Sequence, residues 1–349
     1  MRWFIHSVFA LCVGVVLGAE AAVAPLREWQ AEPFLLRREL HGAARGHAGI
    51  VVVGEGQAIL LPDGGEPHVH YFPENDGLFA VTHHDGKYVT VGHGGSVWSS
   101  LDGRRWTRRT VTPENNLFAV VRAFGQYYAI GGFGDMFYSA DGDNWSTTPA
   151  LSPETLFDFA LSPEVLVAVG KAGRIFTTSN GSSWTRIEYP EDISYRAAAW
   201  GNGRYLITGL TGVGRISTNA VTWTPVTVPD RIVSLAGTGV GFWAANSSPD
   251  LQHSPDGEQW FPVSTSQTRA IHGVEWTGTE FLATGDDATV MSSSDGFFWQ
   301  PRDTSLRQWR GRANNGNVQL ALGGGGVLAR SIDDGFSWVP LLRLSNGTQ

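Results

Sequence analysis

The sequence predicts an all-β chain folded as a single β-propeller of four-stranded antiparallel blades. Three observations predict it. A short string ending in Trp recurs at a near-constant interval along the chain. Each interval holds four short apolar stretches separated by turn residues, and no segment sustains a helical period. Gly supplies 44 of 349 residues, nearly twice the usual ~7%, as hairpins needing positive φ demand.

Residues 1–21 read as a signal peptide. Arg2 gives a short positive start, Trp3 to Leu17 is mostly apolar, and Ala19-Glu20-Ala21 offers the small residues a signal peptidase accepts. Cleavage is expected after Ala21, with export to a periplasmic or extracellular space. The apolar run is shorter than the ~20 residues that span a bilayer. The single cysteine, Cys12, lies within it, so the exported chain is expected to have no disulfide or thiolate metal site. Residues 22–39 form an N-terminal segment, with an extra outer or closure strand expected near Trp29. Residues 40–349 are expected to form the propeller.

The repeat is regular. Its tryptophans are Trp106, Trp145, Trp184, Trp223, Trp260, Trp299 and Trp338, each 39 residues from the last apart from 37 between Trp223 and Trp260. A degenerate earlier copy sits at Asp63-Gly64-Gly65, with Pro67 in the Trp place. A period of 20–50 residues signals a solenoid, propeller or array. Within the second unit, 78–82, 87–91, 96–99 and 106–111 read as strands, and four strands per unit is the arithmetic of a propeller blade. Eight units fit the chain, so eight blades are preferred. The alternative is seven, with residues 30–72 outside the ring or completing another blade.

The strings Ser100-Leu101-Asp102-Gly103-Arg104-Arg105-Trp106 and Ser139-Ala140-Asp141-Gly142-Asp143-Asn144-Trp145 show the motif. It resembles the Asp-box, or bacterial neuraminidase repeat, Ser-x-Asp-x-Gly-x-Thr-Trp. The last copy, Ser331 to Trp338, matches its length, and the other copies are one residue shorter. The resemblance implies a β-propeller with this turn between the third and fourth strands of each blade. Asp102, Asp141, Asp256, Asp295 and Asp333, with Asn180 and Asn219 in the other two copies, are read as structural. A side-chain oxygen there can accept backbone N–H groups of its own turn, while the Trp packs between sheets. Residues placed once per blade stand too far apart round a ring to converge on one substrate.

The compact single-propeller layout behind a signal peptide most resembles the photosystem II assembly/stability factor-like group. That resemblance implies a scaffold, without implying a photosynthetic role. The catalytic sialidases fit less well. Their Arg-Ile-Pro motif has only the distant echoes Gly173-Arg174-Ile175-Phe176 and Gly214-Arg215-Ile216-Ser217. No nucleophile elbow, phosphate loop or His-Glu-x-x-His helix is present.

Net charge is −8, and Lys occurs only at Lys87 and Lys171. A nucleic-acid partner is therefore not expected. Seven of the ten histidines fall between His41 and His93. They are read as turn and strand residues, so no metal or cofactor is expected.

Binding is expected on the face built from fourth-to-first and second-to-third strand loops. The early loops are acidic, at Glu74, Asp76, Glu114, Glu154, Glu191 and Asp192, while the last units carry Arg269, Arg307, Arg310 and Arg312. Trp309, outside the boxed series and read as a loop residue, joins Arg269, His272, Arg307, Arg310 and Arg312 as the binding candidates, because exposed Trp and Arg make contact hot spots. Asp158, Arg196, His272, Glu275 and Arg312 stand on inner strands where other units carry small or apolar residues. Asp158, Arg196 and Glu275 are the candidates for lining the channel.

The function expected is an exported, non-catalytic, monomeric scaffold holding a protein or envelope glycan on its loop face. The alternatives are a carbohydrate-active hydrolase or lyase with acids assembled across blades, and a structural envelope protein.

Overall fold

In the computed structural model the described residues are 30–32, 39–302 except 66, 73–75 and 190–192, and the strands Trp309–Asn314, Gln319–Gly323, Val327–Ser331 and Val339–Arg343. The expected signal peptide, the remainder of segment 22–39, Arg307, Asp333 and Trp338 lie outside them. Among the described residues, no helix is long and apolar enough to cross a membrane.

Seven sheets of four antiparallel strands follow one another along the chain: residues 40–71, 78–110, 117–147, 156–187, 195–227, 234–263 and 271–301. They are blades 1 to 7. Each is a meander in which consecutive strands pair, so every blade is local in sequence. The second strands are buried along most of their length, as in Gly49–Gly54 and Leu166–Gly170. The fourth strands are short and mostly face solvent, as in Ser146–Thr147, apart from the more buried His68–Tyr71 of blade 1. Burial thus declines from the middle of each blade to its outer edge, and apolar side chains from adjacent blades interlock to form the core.

Seven blades close the ring, not the eight preferred from repeat counting. Blade 7 packs directly on blade 1. Leu282, Ala288 and Val290 share a core with Leu40, Ile50, Val52 and Ile59. The Thr284 hydroxyl donates to the His41 carbonyl at 3.2 Å. Gly273 makes this approach possible, because a Cβ there would lie 2.3 Å from the His41 carbonyl oxygen. Arg45 completes the joint by donating to Glu280 (Nε to Oε1, 3.0 Å) and to Asp63 at 2.8 Å. Arg302 reaches the other Glu280 oxygen at 2.8 Å. Among the described residues no blade of the ring borrows a strand from the far terminus, and these contacts hold the ends together.

The eighth repeat unit makes a sheet of its own, with Gln30–Glu32 added beside Trp309–Asn314 as a fifth strand. The N- and C-terminal strands therefore share a sheet, but that sheet is not a blade of the closed ring. Units counted in sequence and blades closed in space are different quantities. The joint depends on side chains more than 200 residues apart, such as Arg45 and Glu280.

The boxed turns are built alike. In blade 2, one Asp102 oxygen accepts the N–H groups of Arg104 and Arg105, both at 2.8 Å, while the Ser100 hydroxyl oxygen accepts Gly103 N–H at 2.8 Å. Asn180 and Asn219 accept the equivalent N–H pairs at 2.8–2.9 Å, so the turn requires an oxygen and not a charge. Where Asp is present, these N–H donors hold the carboxyls of Asp141, Asp256 and Asp295 below the ordinary range. The indole N–H groups of Trp106, Trp145, Trp223 and Trp299 return to a carbonyl in the same turn.

Candidate functional site at the mouth of the central cavity

The first strand of a blade lines the ring axis. In six of the seven blades this strand carries a register shift near its start: Leu40/Gly42, Leu78/Ala80, Leu117/Ala119, Leu156/Asp158, Tyr195/Ala197 and Ile271/Gly273. A bulge re-aims the residue it contains. The residues between are His41, Phe79, Phe118, Phe157, Arg196 and His272. With Val233 of blade 6, they stand round the mouth of a cavity of about 580 Å³.

Five neighbouring members of this rim touch in sequence. The His41 and Phe79 rings are 5.7 Å apart, Phe79 and Phe118 stack at 5.4 Å, and Phe118 meets Phe157 at 5.5 Å. The Arg196 guanidinium then lies 3.9 Å over the Phe157 ring. Among the described residues Arg196 forms no ion pair, and burial against the ring lowers its pKa. The arc is thus an apolar shelf ending in a cation whose outer face is open to a ligand.

The rest of the rim is polar. The His272 ring is 2.8 Å from Asp286. His41 Nε2 lies 3.5 Å from Glu55, and burial holds its pKa below the ordinary value. Ligand atoms of Glu39, His41 and Glu55 fall within 4.8 Å of one another. Among the described residues this trio has the donor types and spacing to hold a divalent ion.

Deeper in, the walls are mostly apolar: Ala80, Val81, Ala119, Val121, Ala198 and Leu235. Two carboxylates interrupt them, Asp158 of blade 4 and Glu275 of blade 7. Asp158 is held by Phe159 N–H on one oxygen and Ala198 N–H on the other, both at 2.8 Å. Glu275 has no hydrogen bond or ion pair among the described residues. Burial raises Asp158 to about 7. Burial, reinforced by the nearby Asp158 charge, raises Glu275 to about 8.

The structure therefore places Asp158, Arg196, His272 and Glu275 around one cavity. Arg269 is exposed on the loop entering blade 7. Trp309, expected in a loop, instead begins a strand. It holds the register of Leu40, Leu78 and Leu117, the apolar residue just before the bulge, and Arg310 takes the bulged place. Arg312 pairs with Glu32 across the added strand. The separate sheet containing them supplies no inner strand to the ring, so the binding candidates do not form one cluster.

Phe79, Phe118 and Phe157 were not among the sequence candidates. Their signal was nonetheless present: each precedes the boxed Trp of its own unit by 27 residues, as do Arg196, Val233 and His272.

The architecture defines a class, the seven-bladed β-propellers, and solved structures share the propeller fold. Virginiamycin B lyase from Staphylococcus aureus superposes with a TM-score of 0.65 at 11% identity, over 75% of this chain and 98% of that one. YCF48 from Cyanidioschyzon merolae gives 0.58 at 14%, over 76% and 98%. YCF48 bound to D1 peptide gives 0.59 at 17%, over 77% and 97%. At these identities the likeness is one of fold. No protein-family model and no curated protein matches the sequence.

Proposed function

We propose that this chain is an exported, non-catalytic binding propeller that holds a segment of a partner protein across the mouth of its central cavity. One observation carries the reading: the continuous arc His41–Phe79–Phe118–Phe157–Arg196, which exposes aromatic surface and an acid-free guanidinium on one face. Aromatic and Arg side chains around a recess are the usual anchors of protein contacts. YCF48, whose fold is similar, has been solved with a peptide bound, which supports a peptide as the class of ligand. The N-terminal signal-like segment supports export. The shared oxygen-acceptor geometry of the turns supports membership of the Asp-box propellers.

A hydrolase or lyase is the second reading, favoured by two carboxylates facing one cavity. Paired-carboxyl chemistry needs both groups free to exchange protons or attack. Both Asp158 oxygens are engaged by backbone N–H groups, which leaves Glu275 alone for such work. Binding is therefore the better use of the site.

The test is capture from an envelope extract of the producing organism, with cross-linking to locate the contact. The full chain is compared with a Phe118→Ala, Arg196→Ala double variant and with Phe298→Ala, which alters an exposed boxed turn. The expected result is a partner held by wild type and Phe298→Ala but lost by the double variant. Capture that survives the double substitution overturns the site. Absence of any captured protein, together with turnover of a glycan that requires Glu275, overturns the non-catalytic reading.

A further inference from the structure

We propose that the cavity behind the rim is a receptor for a primary alkylammonium, the side chain of a lysine presented by the bound partner, seated against Glu275 and Asp158. The inference rests on the binding function proposed above and specifies its ligand chemistry.

Two acids here have no cation beside them: Glu275 is without a hydrogen bond among the described residues, and Asp158 is held only by backbone N–H groups. The inner-strand positions matching Glu275 carry Ala44, Thr82, Val121, Ala160 and Ala199, and those matching Asp158 carry Gly42, Ala80, Ala119, Ala197 and Gly273. Two of these small or uncharged positions are thus replaced by carboxylates facing the same space. Placing carboxylates out of full contact with water and without a counter-charge is costly, yet no cation of the described structure reaches them. Arg196 is stacked on Phe157 at the rim, His272 is engaged by Asp286, and His41 is drawn to Glu55. The facing parts of blades 2, 3 and 6 contribute Val81, Val121, Ser234 and Leu235. The Ser234 hydroxyl is tied to blade 7 through the Val274 backbone.

The shape selects among cations. Entry is over the rings of Phe79, Phe118 and Phe157, whose faces favour a passing cation and whose apolar surface suits a hydrocarbon stem. The walls between rim and acids are alkyl. Glu275 lies two strand residues further along than the Asp158 register position. A compact head with three donors can therefore meet acceptors at two heights. A hydrated divalent ion gains nothing from the alkyl walls, whereas a four-carbon stem carrying –NH₃⁺ uses both features. Arg196 remains at the rim to meet an acidic group on the same partner segment.

The pH dependence follows in sign. Around pH 6 the acids are protonated and the ammonium must displace protons. Near pH 8.5, above the values of about 7 and about 8 to which Asp158 and Glu275 are raised, the pair is mostly ionised, while an alkylammonium, with a pKa near ~10.4, keeps its charge. Affinity for the amine therefore rises with pH across that interval.

The experiment titrates the full chain with n-pentylamine and with 1-pentanol, its neutral analogue, by ligand-observed NMR at pH 6.0, 7.25 and 8.5. Saturable amine binding in the roughly millimolar range is expected at pH 8.5. It should weaken at least about tenfold at pH 6.0, with no matching response to the alcohol. Glu275→Gln should lose the amine by about tenfold or more at pH 8.5, and Arg196→Ala should retain it. Equal binding of amine and alcohol, no saturable amine binding, or unchanged affinity in Glu275→Gln overturns the proposal. Thermal unfolding of Glu275→Gln verifies that it is folded, and Asp158→Asn gives an independent check. The two proposals fail separately. If the rim variants lose the captured protein but no amine binds, the partner reading stands and the lysine reading falls. If the amine binds but the rim variants keep the protein, the reverse holds.

Discussion

Glu275→Gln should make the protein more stable at alkaline pH and leave it unchanged in mild acid. Glu275 has an ordinary value of 4.5 and is raised to about 8 in the fold. Between those values the folded chain binds a proton that the unfolded chain releases. Stability therefore falls as pH climbs through the window and levels off above it. At about 1.4 kcal/mol per pKa unit, the full shift corresponds to roughly 4–5 kcal/mol above pH 8. Water in the cavity and sharing of one proton with Asp158 lower this, so a gain of about 2–4 kcal/mol is expected. Glutamine has nearly the same shape and stays neutral. The assay is urea unfolding of both proteins at pH 4.0, 7.0 and 8.5. The curves should nearly coincide at pH 4.0, below the ordinary value of 4.5, and separate progressively, with the variant the more stable. Parallel pH profiles for the two chains would refute the claim that an uncompensated carboxylate sits in this cavity.

Other perturbations test the frame. Asp295→Ala removes the acceptor of Phe297 and Phe298 N–H and should cost about 1 kcal/mol in urea unfolding, whereas Asp295→Asn should cost markedly less. Because backbone donors depress the boxed carboxyls, their stabilisation is complete above about pH 4 and should be lost as pH falls below it, which acid titration by circular dichroism will show. Gly296→Ala should cost about 3 kcal/mol or more, since φ is +80° and the new Cβ would lie 2.5 Å from the Trp243 ring; a loss under 1 kcal/mol in chemical denaturation would contradict the packing. Glu280→Gln weakens the Arg45 and Arg302 contacts that join blades 7 and 1; it should cost about 1–3 kcal/mol and speed proteolysis first at those two blades. Phe133 is 68% exposed at φ +54° on the cavity-mouth side of blade 3; Phe133→Gly should keep or raise the melting temperature, by relief of about 1 kcal/mol of strain, while weakening partner capture.

The blade was legible in the sequence because it is local. The box at Ser100–Trp106 and the strands on either side contact one another within a single unit, so the repeat displays nearly all that forms it. Ring size was not legible in this way. It depends on Gly273 meeting the backbone of His41 and on Arg45 meeting Glu280, contacts between residues that no periodicity connects. The site was partly legible. Asp158 and Glu275 stood out as charges in columns of small or uncharged residues, and Arg196 as a charge in a column that is otherwise mostly aromatic. Phe79, Phe118 and Phe157 did not, because an aromatic residue in a strand ordinarily signifies core. Only the repeated bulge, which needs one more residue on the first strand than on its neighbour, turns that column toward the axis.

The bulge also explains how one fold can be both repetitive and specific. Before it stands a buried apolar residue, such as Leu40, Leu78, Leu117, Leu156, Tyr195 or Ile271. After it stands a small residue in five of six blades, close to the neighbouring inner strand, as Gly42 is to Ala80 and Gly273 is to His41. These flanking positions are fixed by packing, whereas the bulged residue bears little of the load. It runs His41, Phe79, Phe118, Phe157, Arg196 and His272 round the ring, with Val233 in blade 6. Variation is therefore concentrated where seven side chains converge. Asp158, the exception among the flanking residues, departs from the small type and anchors itself to blade 5 through Ala198 N–H. A charge that breaks the packing rule on the wall of a cavity is better explained by what enters the cavity than by the stability of the ring.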